Sequence, residues 1–357
     1  MSPRSRPGGT GGWTGRLFLL VLAATVLVGG WLWLGYRSFA DAPLAGIEAG
    51  ETLVVERGDS LDGVLRRLQA GGVATGDRVR WQVLARELGA AGRLQVGEYA
   101  LKPGIAPRGL LLAMRDGKVT RRLFTIVEGW NIRELRAALA RVDGLEHSTA
   151  ALDDAALMKA LGHAGQHPEG RFLPETYAWV RGDADLDLLK RAHASMVEAL
   201  DSAWASRADG LALNNKNEAL TLASIVEKET GVAEERAAIS GVFTRRLQSG
   251  MRLQTDPTVI YGMGAAYAGN IRQTDLTTDT PYNTYTRDGL PPTPIAMPGA
   301  AALQAATQPA PGDTLYFVAV GDGSGRHLFS RSLADHNKAV RDYLQRYRAQ
   351  RQAAPTP

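Results

Sequence analysis

One carboxylate in this chain lies at the end of an apolar helical stripe. The segment from Leu222 to Thr230 reads Leu-Ala-Ser-Ile-Val-Glu-Lys-Glu-Thr, and at about 3.6 residues per turn Glu229 lines up with Ile225 and Val226. Burial beside such a stripe disfavours the charged form of a carboxyl group and raises its pKa toward neutral pH. A carboxyl group with a raised pKa can protonate a leaving group, so the segment predicts a general acid at Glu229.

Glu227 is the second carboxylate of this segment. At about 100° per residue the two glutamates are separated by more than half a turn, so we expect no facing pair and expect one of them on the solvent side. A plainer interpretation of Glu-Lys-Glu in a helix is a solvated patch that favours the helix. From this segment alone the plainer interpretation is the stronger one.

Residues further along the chain favour a binding cleft. Gln254 and Tyr261 carry an amide and a phenol, which can hydrogen-bond the neutral hydroxyl and amide groups of a sugar. Between them, Asp256 and Pro257 predict the start of a short helix, with Asp at the N-cap and Pro at the first helical position. Five prolines between residues 280 and 299 predict an ordered loop, and with the aromatic and amide side chains of residues 280–286 this loop suits a cleft wall.

The elements that position these residues form a mixed α+β pattern. Near the N-terminus, a strand over residues 52–56, a helix capped by Ser60, a helix over 77–88 and a strand over 94–101 predict a β-α-α-β unit. The later elements are predicted as follows: a helix at 108–114, a strand at 120–127, a helix from Asn131, a helical region at 148–162, an ordered loop at 169–177, a helix at 186–207, the helix of Glu229, a helix at 233–248, strands at 314–320 and 327–330, and a helix at 333–347.

The N-terminal segment predicts a membrane span. No charged residue occurs from residue 17 to residue 36, and a helix of that length at 1.5 Å per residue is about 30 Å long, the hydrocarbon thickness of a bilayer. A cleavable signal peptide is the alternative, but its apolar region is normally only about 7–15 residues long. Three arginines precede the segment and Arg37 alone follows it, which predicts a cytoplasmic N-terminus.

Composition narrows the class of protein. The 357 residues suffice for two ordinary domains. The chain has 41 basic and 37 acidic residues, and three of the basic ones lie in the N-terminal tail. This small excess of positive charge gives little support for nucleic-acid binding. The absence of cysteine excludes disulfides, thiol catalysis and a lipid-modified cysteine. The histidines show no metal-ligand spacing, so we expect no metal and no cofactor; they are His147, His163, His167, His193, His327 and His336.

Three motifs in order resemble the endolytic murein transglycosylase family, also called the MltG or YceG-like family. They are Ala-Ser-Ile-Val-Glu-Lys-Glu-Thr ending at Thr230, Arg-Leu-Gln-Thr-Asp-Pro-Thr-Val-Ile-Tyr-Gly ending at Gly262, and Tyr-Asn-Thr-Tyr at residues 282–285. The stretch over residues 54–61 also resembles the opening of glycan-binding LysM modules, and a plain α+β domain near the membrane is an equal alternative. The resemblance to the endolytic murein transglycosylase family covers nearly the whole chain.

The resemblance implies a fold and a site. The implied fold class is α+β, with a cytoplasmic tail (1–16), a transmembrane helix (17–36), a LysM-like domain (37–118), a helix-rich lysozyme-like catalytic domain with a C-terminal β-hairpin (119–347) and a disordered tail (348–357). The family's catalytic Glu, which directly precedes a Thr, falls on Glu229. The substrate-binding residues expected beside it are Gln254, Tyr261, Tyr282, Asn283 and Tyr285.

The implied activity is cleavage of the β-1,4 bond between N-acetylmuramic acid and N-acetylglucosamine inside a nascent peptidoglycan strand, leaving a 1,6-anhydro end. The catalytic domain would be periplasmic on an inner-membrane anchor, and the implied partners are glycan polymerases and penicillin-binding proteins. A muramidase-type hydrolase stays open, because Asp256, Glu227 or Glu175 could supply a second carboxylate. A non-catalytic wall-binding scaffold is a further alternative. Pyridoxal-phosphate chemistry is disfavoured, because the sequence has no phosphate-binding signature and Lys228 lies on the wrong face of its helix.

Overall fold

The computed structural model describes residues 11–353, and the chain divides into two compact units. The first unit ends at Arg122 and also contains Val180–Gly182. The second unit consists of Leu123–Trp179 and the residues from Asp183 onward. The described chain is a helix-rich α+β structure in which the strands form small two-stranded sheets.

The first unit contains the apolar N-terminal helix and the predicted β-α-α-β elements. Its elements are α1 (Gly11–Asp41), β1 (Thr52–Val55), α2 (Leu61–Ala70), α3 (Arg78–Glu87), β2 (Gly97–Ala100) and α4 (Pro107–Arg115). β1 pairs antiparallel with β2, with Thr52 opposite Ala100. Ser60 caps α2 by accepting a hydrogen bond from the backbone N–H of Gly63, as its position before the helix predicts.

Helix α1 is longer than the predicted segment. Its stretch Gly15–Asp41 has a mean hydropathy of 2.3 over its most apolar window and is fully exposed there, so by length and composition it could cross a membrane. The helix continues past residue 36 because its last turns join the core of the first unit, where the ring of Phe39 meets that of Trp81 edge to face at 5.7 Å. The predicted tail covers residues 1–16; residues 11–16 belong to α1, and residues 1–10 lie outside the described residues.

The second unit contains the helices and hairpin around Glu229. Its elements are β3 (Arg122–Thr125, whose first residue belongs to the first unit), α5 (Ile132–Leu139), α6 (Asp154–Ala160), β4 (Thr176–Trp179), α7 (Asp185–Ala205), α8 (Lys216–Glu229), α9 (Arg236–Gln248), α10 (Asp256–Met263), α11 (Gln273–Thr277), α12 (Ala300–Thr307), β5 (Tyr316–Ala319), β6 (His327–Ser330) and α13 (Leu333–Ala353). β3 pairs with β4, and β5 pairs antiparallel with β6.

Several elements differ from the sequence prediction. The predicted ordered loop at 169–177 ends in strand β4, where Tyr177 and Trp179 alternate as buried residues. α12 was not predicted, since its alanine-rich sequence is buried on most sides and shows no amphipathic period. α13 continues to Ala353, six residues beyond its predicted end and into the stretch expected to be disordered. The predicted N-cap at Asp256 is wrong by one residue: Thr255 precedes the helix, and Asp256 is its first residue.

Helix α8 is the buried centre of the second unit. Asn215 caps its N-terminus by accepting from the backbone N–H of Glu218, and every residue from Ala219 to Val226 is buried. α7, α9 and α12 pack around it, so the apolar stripe that predicted the helix is enclosed on all sides. The end of α8 is therefore held in a fixed position.

Candidate active site

Glu229 is the last residue of α8. The next residue, Thr230, is extended, with φ −144° and ψ 134°, which ends the helix directly after the glutamate. The carboxyl group thus projects from the end of a rigid, buried helix rather than from a loop. Such a placement fixes the side chain for chemistry.

The proline-rich loop is attached to α8 by two hydrogen bonds. The backbone N–H of Ile295 donates to the hydroxyl of Ser224 at 3.0 Å, and the backbone N–H of Gly299 donates to the carboxylate of Glu227 at 3.0 Å. A Cβ at Gly299 would lie 2.0 Å from a carboxylate oxygen of Glu128, so a larger residue there would require that side chain to move. The loop therefore follows α8 closely along its last two turns.

Glu227 does not face solvent, so the expectation that one glutamate of the pair is solvated is wrong. Its side chain is only 5% exposed and lies 3.6 Å from the guanidinium of Arg236. It faces inward because the loop and α9 cover this face of α8, which a helical period alone does not reveal. Burial raises the pKa of Glu227, as it would for a catalytic acid. Its carboxylate is nevertheless occupied by the hydrogen bond from Gly299 and the ion pair with Arg236, which indicates a structural role.

The carboxyl group of Glu229 has the properties expected of a proton donor. Burial raises its pKa to about 7, although the hydroxyl of Thr255 donates a hydrogen bond to it and partly offsets that rise. The nearby charge of Asp256 raises the pKa further, whereas His327 and Arg246 lower it. At neutral pH the group therefore populates both protonation states, as general acid and base chemistry requires.

Glu229 lines a cavity of about 630 Å³. One wall is formed by the segment after α9 together with the loop before the proline-rich stretch, and the other by β5 and α13. The volume lies in the range of ligand-binding clefts. The lining residues are Glu229, Arg246, Leu253, Gln254, Thr255, Asp256, Tyr285, Tyr316, Phe317, Val318, Leu333, His336, Asn337 and Val340.

Two of the predicted binding residues lie in this cavity with Glu229. Gln254 has a left-handed backbone with φ 51°, a conformation that costs energy in a residue other than glycine and is often found at functional sites. Tyr285 donates from its hydroxyl to Asp256 at 2.6 Å. Burial raises the pKa of Tyr285, so the phenol stays protonated; its one O–H is used by Asp256, and its oxygen can still accept a hydrogen bond from a ligand.

The other three predicted binding residues lie away from this cavity. Tyr261 lines a separate cavity of about 510 Å³, and its ring meets that of Tyr282 at 4.8 Å. The hydroxyl of Tyr282 shares a hydrogen bond with Thr293. Asn283 is buried, and its amide nitrogen donates to three backbone carbonyls while its oxygen accepts from the backbone N–H of Tyr285. Its polar atoms are all used within the protein.

Sequence reasoning missed a further buried carboxyl group of raised pKa and the far wall of the cavity. Glu169 is fully buried, accepts from the backbone N–H of Ile132 and from the hydroxyl of Tyr261, and has a pKa raised to about 7 by burial. It joins the N-terminus of α5 to α10. On the far wall, His336 and Asn337 interrupt the apolar face of α13, and that interruption was a signal the sequence carried.

Within residues 11–353, no group of three or more His, Cys, Asp or Glu side chains is arranged to hold a metal ion. The cavity instead combines one carboxyl group of raised pKa with hydroxyl, amide and aromatic groups. That combination fits acid–base chemistry on a neutral, hydroxyl-rich substrate.

The model of the YceG-like family matches residues 53–342, most of the chain. The chain belongs to the YceG-like family, which confirms the resemblance read from its motifs.

Individual relatives agree with this assignment. An endolytic murein transglycosylase of Bacillus subtilis is 30% identical over 312 residues, which cover 81% of this chain and 84% of that protein. An endolytic murein transglycosylase of Streptococcus pneumoniae is 26% identical, and the match covers 70% of this chain but only about half, 51%, of the pneumococcal protein. The crystal structure of a YceG-like protein from Listeria monocytogenes is 26% identical, with a TM-score of 0.50 over 81% of this chain and 98% of that chain.

Proposed function

We propose that this protein is an endolytic lytic transglycosylase, a lyase that cuts the bond between N-acetylmuramic acid and N-acetylglucosamine within peptidoglycan strands. The observation that carries the proposal is the carboxyl group of Glu229, held at the end of a buried helix in a cleft with a pKa of about 7. Membership of the YceG-like family and relatives named endolytic murein transglycosylases support it.

In the proposed reaction Glu229 acts twice. The protonated carboxyl group first gives its proton to the glycosidic oxygen, and the bond between that oxygen and C1 of the muramic acid breaks. The carboxylate then removes the proton from the C6 hydroxyl of the same sugar, whose oxygen forms a new bond to C1. The products are a 1,6-anhydro end and a free 4-hydroxyl, and Glu229 is protonated again without consuming water.

Hydrolysis is the competing reaction, and it would require a second carboxylate near Glu229. Asp256 lies in the same cavity as Glu229 and could position a water or stabilise charge on the sugar. It already accepts a hydrogen bond from Tyr285, which supports a structural role for this carboxylate. The ends of the products distinguish the two reactions.

The predicted binding residues divide into two groups in this proposal. We assign contacts with the cleaved sugars to Gln254 and Tyr285, which lie in the cavity with Glu229. Tyr261 lines the separate cavity and Tyr282 packs against its ring, and both are proposed to contact the strand further from the cut bond. Asn283 is proposed to position Tyr285 through its bond to that residue's backbone, since its side chain is buried away from a sugar.

We propose that α1 anchors the protein in the inner membrane with its N-terminus in the cytoplasm and both units in the periplasm. The exposed apolar stretch Gly15–Asp41 and the arginines before it support this orientation. The antiparallel pair β1–β2 with two helices between its strands supports a LysM-like glycan-binding role for the first unit. Glycan polymerases and penicillin-binding proteins, which make the substrate, are the proposed partners.

Thr255→Val should move the pH profile of cleavage. The Thr255 hydroxyl stabilises the carboxylate form of Glu229, so its removal raises the pKa of Glu229. Because the acid must be protonated to act, activity falls as pH rises through the pKa of about 7, and in the variant that fall should occur at higher pH. Measuring kcat/KM from pH 5 to pH 9 checks this.

Thr255→Ser is the matched control, since it keeps the hydroxyl and should keep the wild-type profile. An unchanged basic limb in the valine variant would show that Glu229 is not the group titrating in the profile.

The proposal as a whole is tested by incubating the full-length protein in detergent with uncross-linked glycan strands and following strand length by chromatography. Strands shortened at internal positions are expected. Intact strands that are nevertheless bound by the protein would support the wall-binding scaffold instead.

A further inference from the structure

The far wall of the Glu229 cavity carries two polar residues on an otherwise apolar helix face. Leu333, His336, Asn337 and Val340 follow the i, i+3, i+4, i+7 spacing of one helical face and all line the cavity. Leu333 is 56% exposed, although it is apolar. A polar pair between the exposed Leu333 and the partly exposed Val340 is a surface that a ligand with both a polar and an apolar part would cover.

His336 has a ring nitrogen without a partner. Its Nδ1 is buried and, among the described residues, has no hydrogen-bond partner. Burial lowers the pKa of His336, and the charge of Arg246 lowers it further, so the imidazole is neutral at physiological pH. Because Nδ1 is buried, the other ring nitrogen, Nε2, is the one that can exchange a hydrogen bond with a ligand group in the cavity.

The ring of His336 is held rigidly. It stacks on Tyr316 with ring centroids 5.2 Å apart and planes 23° apart, while the guanidinium of Arg246 lies 5.2 Å from the centre of the same tyrosine ring. Arg246 donates to the backbone carbonyls of Leu315 and Leu253, so its own position is fixed. Such preorganisation reduces the entropy lost when a ligand binds.

We propose that His336 and Asn337 form a subsite for the acetamido group of a sugar next to the cleaved bond, with Leu333 and Val340 contacting its methyl group. The acetamido group has an N–H donor, a carbonyl acceptor and a methyl group, which match an imidazole nitrogen, a side-chain amide and apolar side chains. This inference rests on the proposed function and adds to it a recognition element on the wall opposite the predicted binding residues.

The test compares binding of N-acetylated glycan strands with binding of the same strands after chemical removal of the acetyl groups. The full-length Glu229→Gln protein is used for binding, so that no strand is cut. Two variants are introduced into it: His336→Phe, which keeps an aromatic ring against Tyr316 but removes the nitrogen, and Asn337→Ala. Lys338→Ala, an exposed neighbour on the same helix that does not line the cavity, is the control.

Each of the two variants should weaken binding of N-acetylated strands about tenfold, which corresponds to about 1.4 kcal/mol, and leave binding of the deacetylated strands nearly unchanged. The control should preserve the wild-type preference. In the otherwise wild-type enzyme the same substitutions should raise KM more than they lower kcat.

An unchanged preference for acetylated strands in both variants would overturn the subsite. Asn337 is exposed, so Asn337→Ala decides the question even if His336→Phe disturbs the hairpin. Failure of the proposed function has a different result, because the wild-type protein would then bind strands without cutting them. If only the subsite is wrong, the protein still cuts strands, and its preference for acetylated strands does not change with the substitutions in α13.

Discussion

Glu229→Gln should lower kcat for glycan cleavage by about 10³-fold. Glutamine keeps the shape of the side chain and can still accept from Thr255, but it cannot give or take a proton, and general acid–base catalysis contributes about 10²–10⁴-fold. Binding of the strand should change little. Single-turnover cleavage of a defined strand, with binding measured separately, checks both parts.

The fold of this variant should be at least as stable as the wild type at pH 8. Burial raises the pKa of Glu229 in the folded protein above its value in the unfolded chain. The free energy of unfolding therefore falls as pH rises through about 7, because the buried carboxyl group becomes charged. Glutamine stays neutral, so the variant does not lose this stability. Glu227→Gln is the matched control and should retain cleavage within about tenfold, because its carboxylate bonds the backbone of Gly299 outside the cavity. Loss of cleavage with Glu227→Gln and its retention with Glu229→Gln would contradict the assignment.

Arg236→Met should destabilise the protein by about 3 kcal/mol at pH 8. The Arg236 side chain is 14% exposed and lies 3.6 Å from Glu227 and 3.7 Å from Glu128, so its removal leaves a buried carboxylate beside a second one without a counter-charge. Denaturant unfolding measures the change. Loss of the cation raises the pKa of Glu227 further above its unfolded value, so the destabilisation should be smaller at pH 5, where this group takes up a proton.

Arg252→Met is the control for the same type of substitution at an exposed ion pair. Arg252 lies 2.9 Å from Asp288, but the two side chains are 48% and 74% exposed, and such pairs contribute about 0–1 kcal/mol. Equal losses for the two variants, or an Arg236→Met loss that does not depend on pH, would show that the buried ion pair does not hold the end of α8.

The local part of the site was predictable from the sequence. The spacing of Glu229 behind Ile225 and Val226 indicated a desolvated carboxyl group, and the raised pKa confirms that expectation. Its assignment as the acid stays a prediction until it is tested by mutation. Ser60 at the cap of α2 was likewise readable from its immediate neighbours.

Contacts between distant segments were not predictable. Glu227 is buried because α9 and Gly299 of the proline-rich loop cover its face of α8, and Gly299 lies 72 residues further along the chain. Thr255 reaches Glu229 from a segment 26 residues away. Asn283 looked like a binding residue from its motif, but the folded loop uses all its polar atoms. Such pairings depend on contacts that exist only in the folded chain, and the local spacing of residues does not encode them.

Mass spectrometry of the cleaved strands is the most direct test of the central claim, that Glu229 alone performs both proton transfers. The full-length protein is compared with its Glu229→Gln variant on uncross-linked strands. Product ends lighter by one water than reducing ends, formed only by the wild type, are expected. Reducing ends would contradict this claim and indicate hydrolysis with a second carboxylate, and anhydro ends formed equally by the variant would show that another residue is the acid.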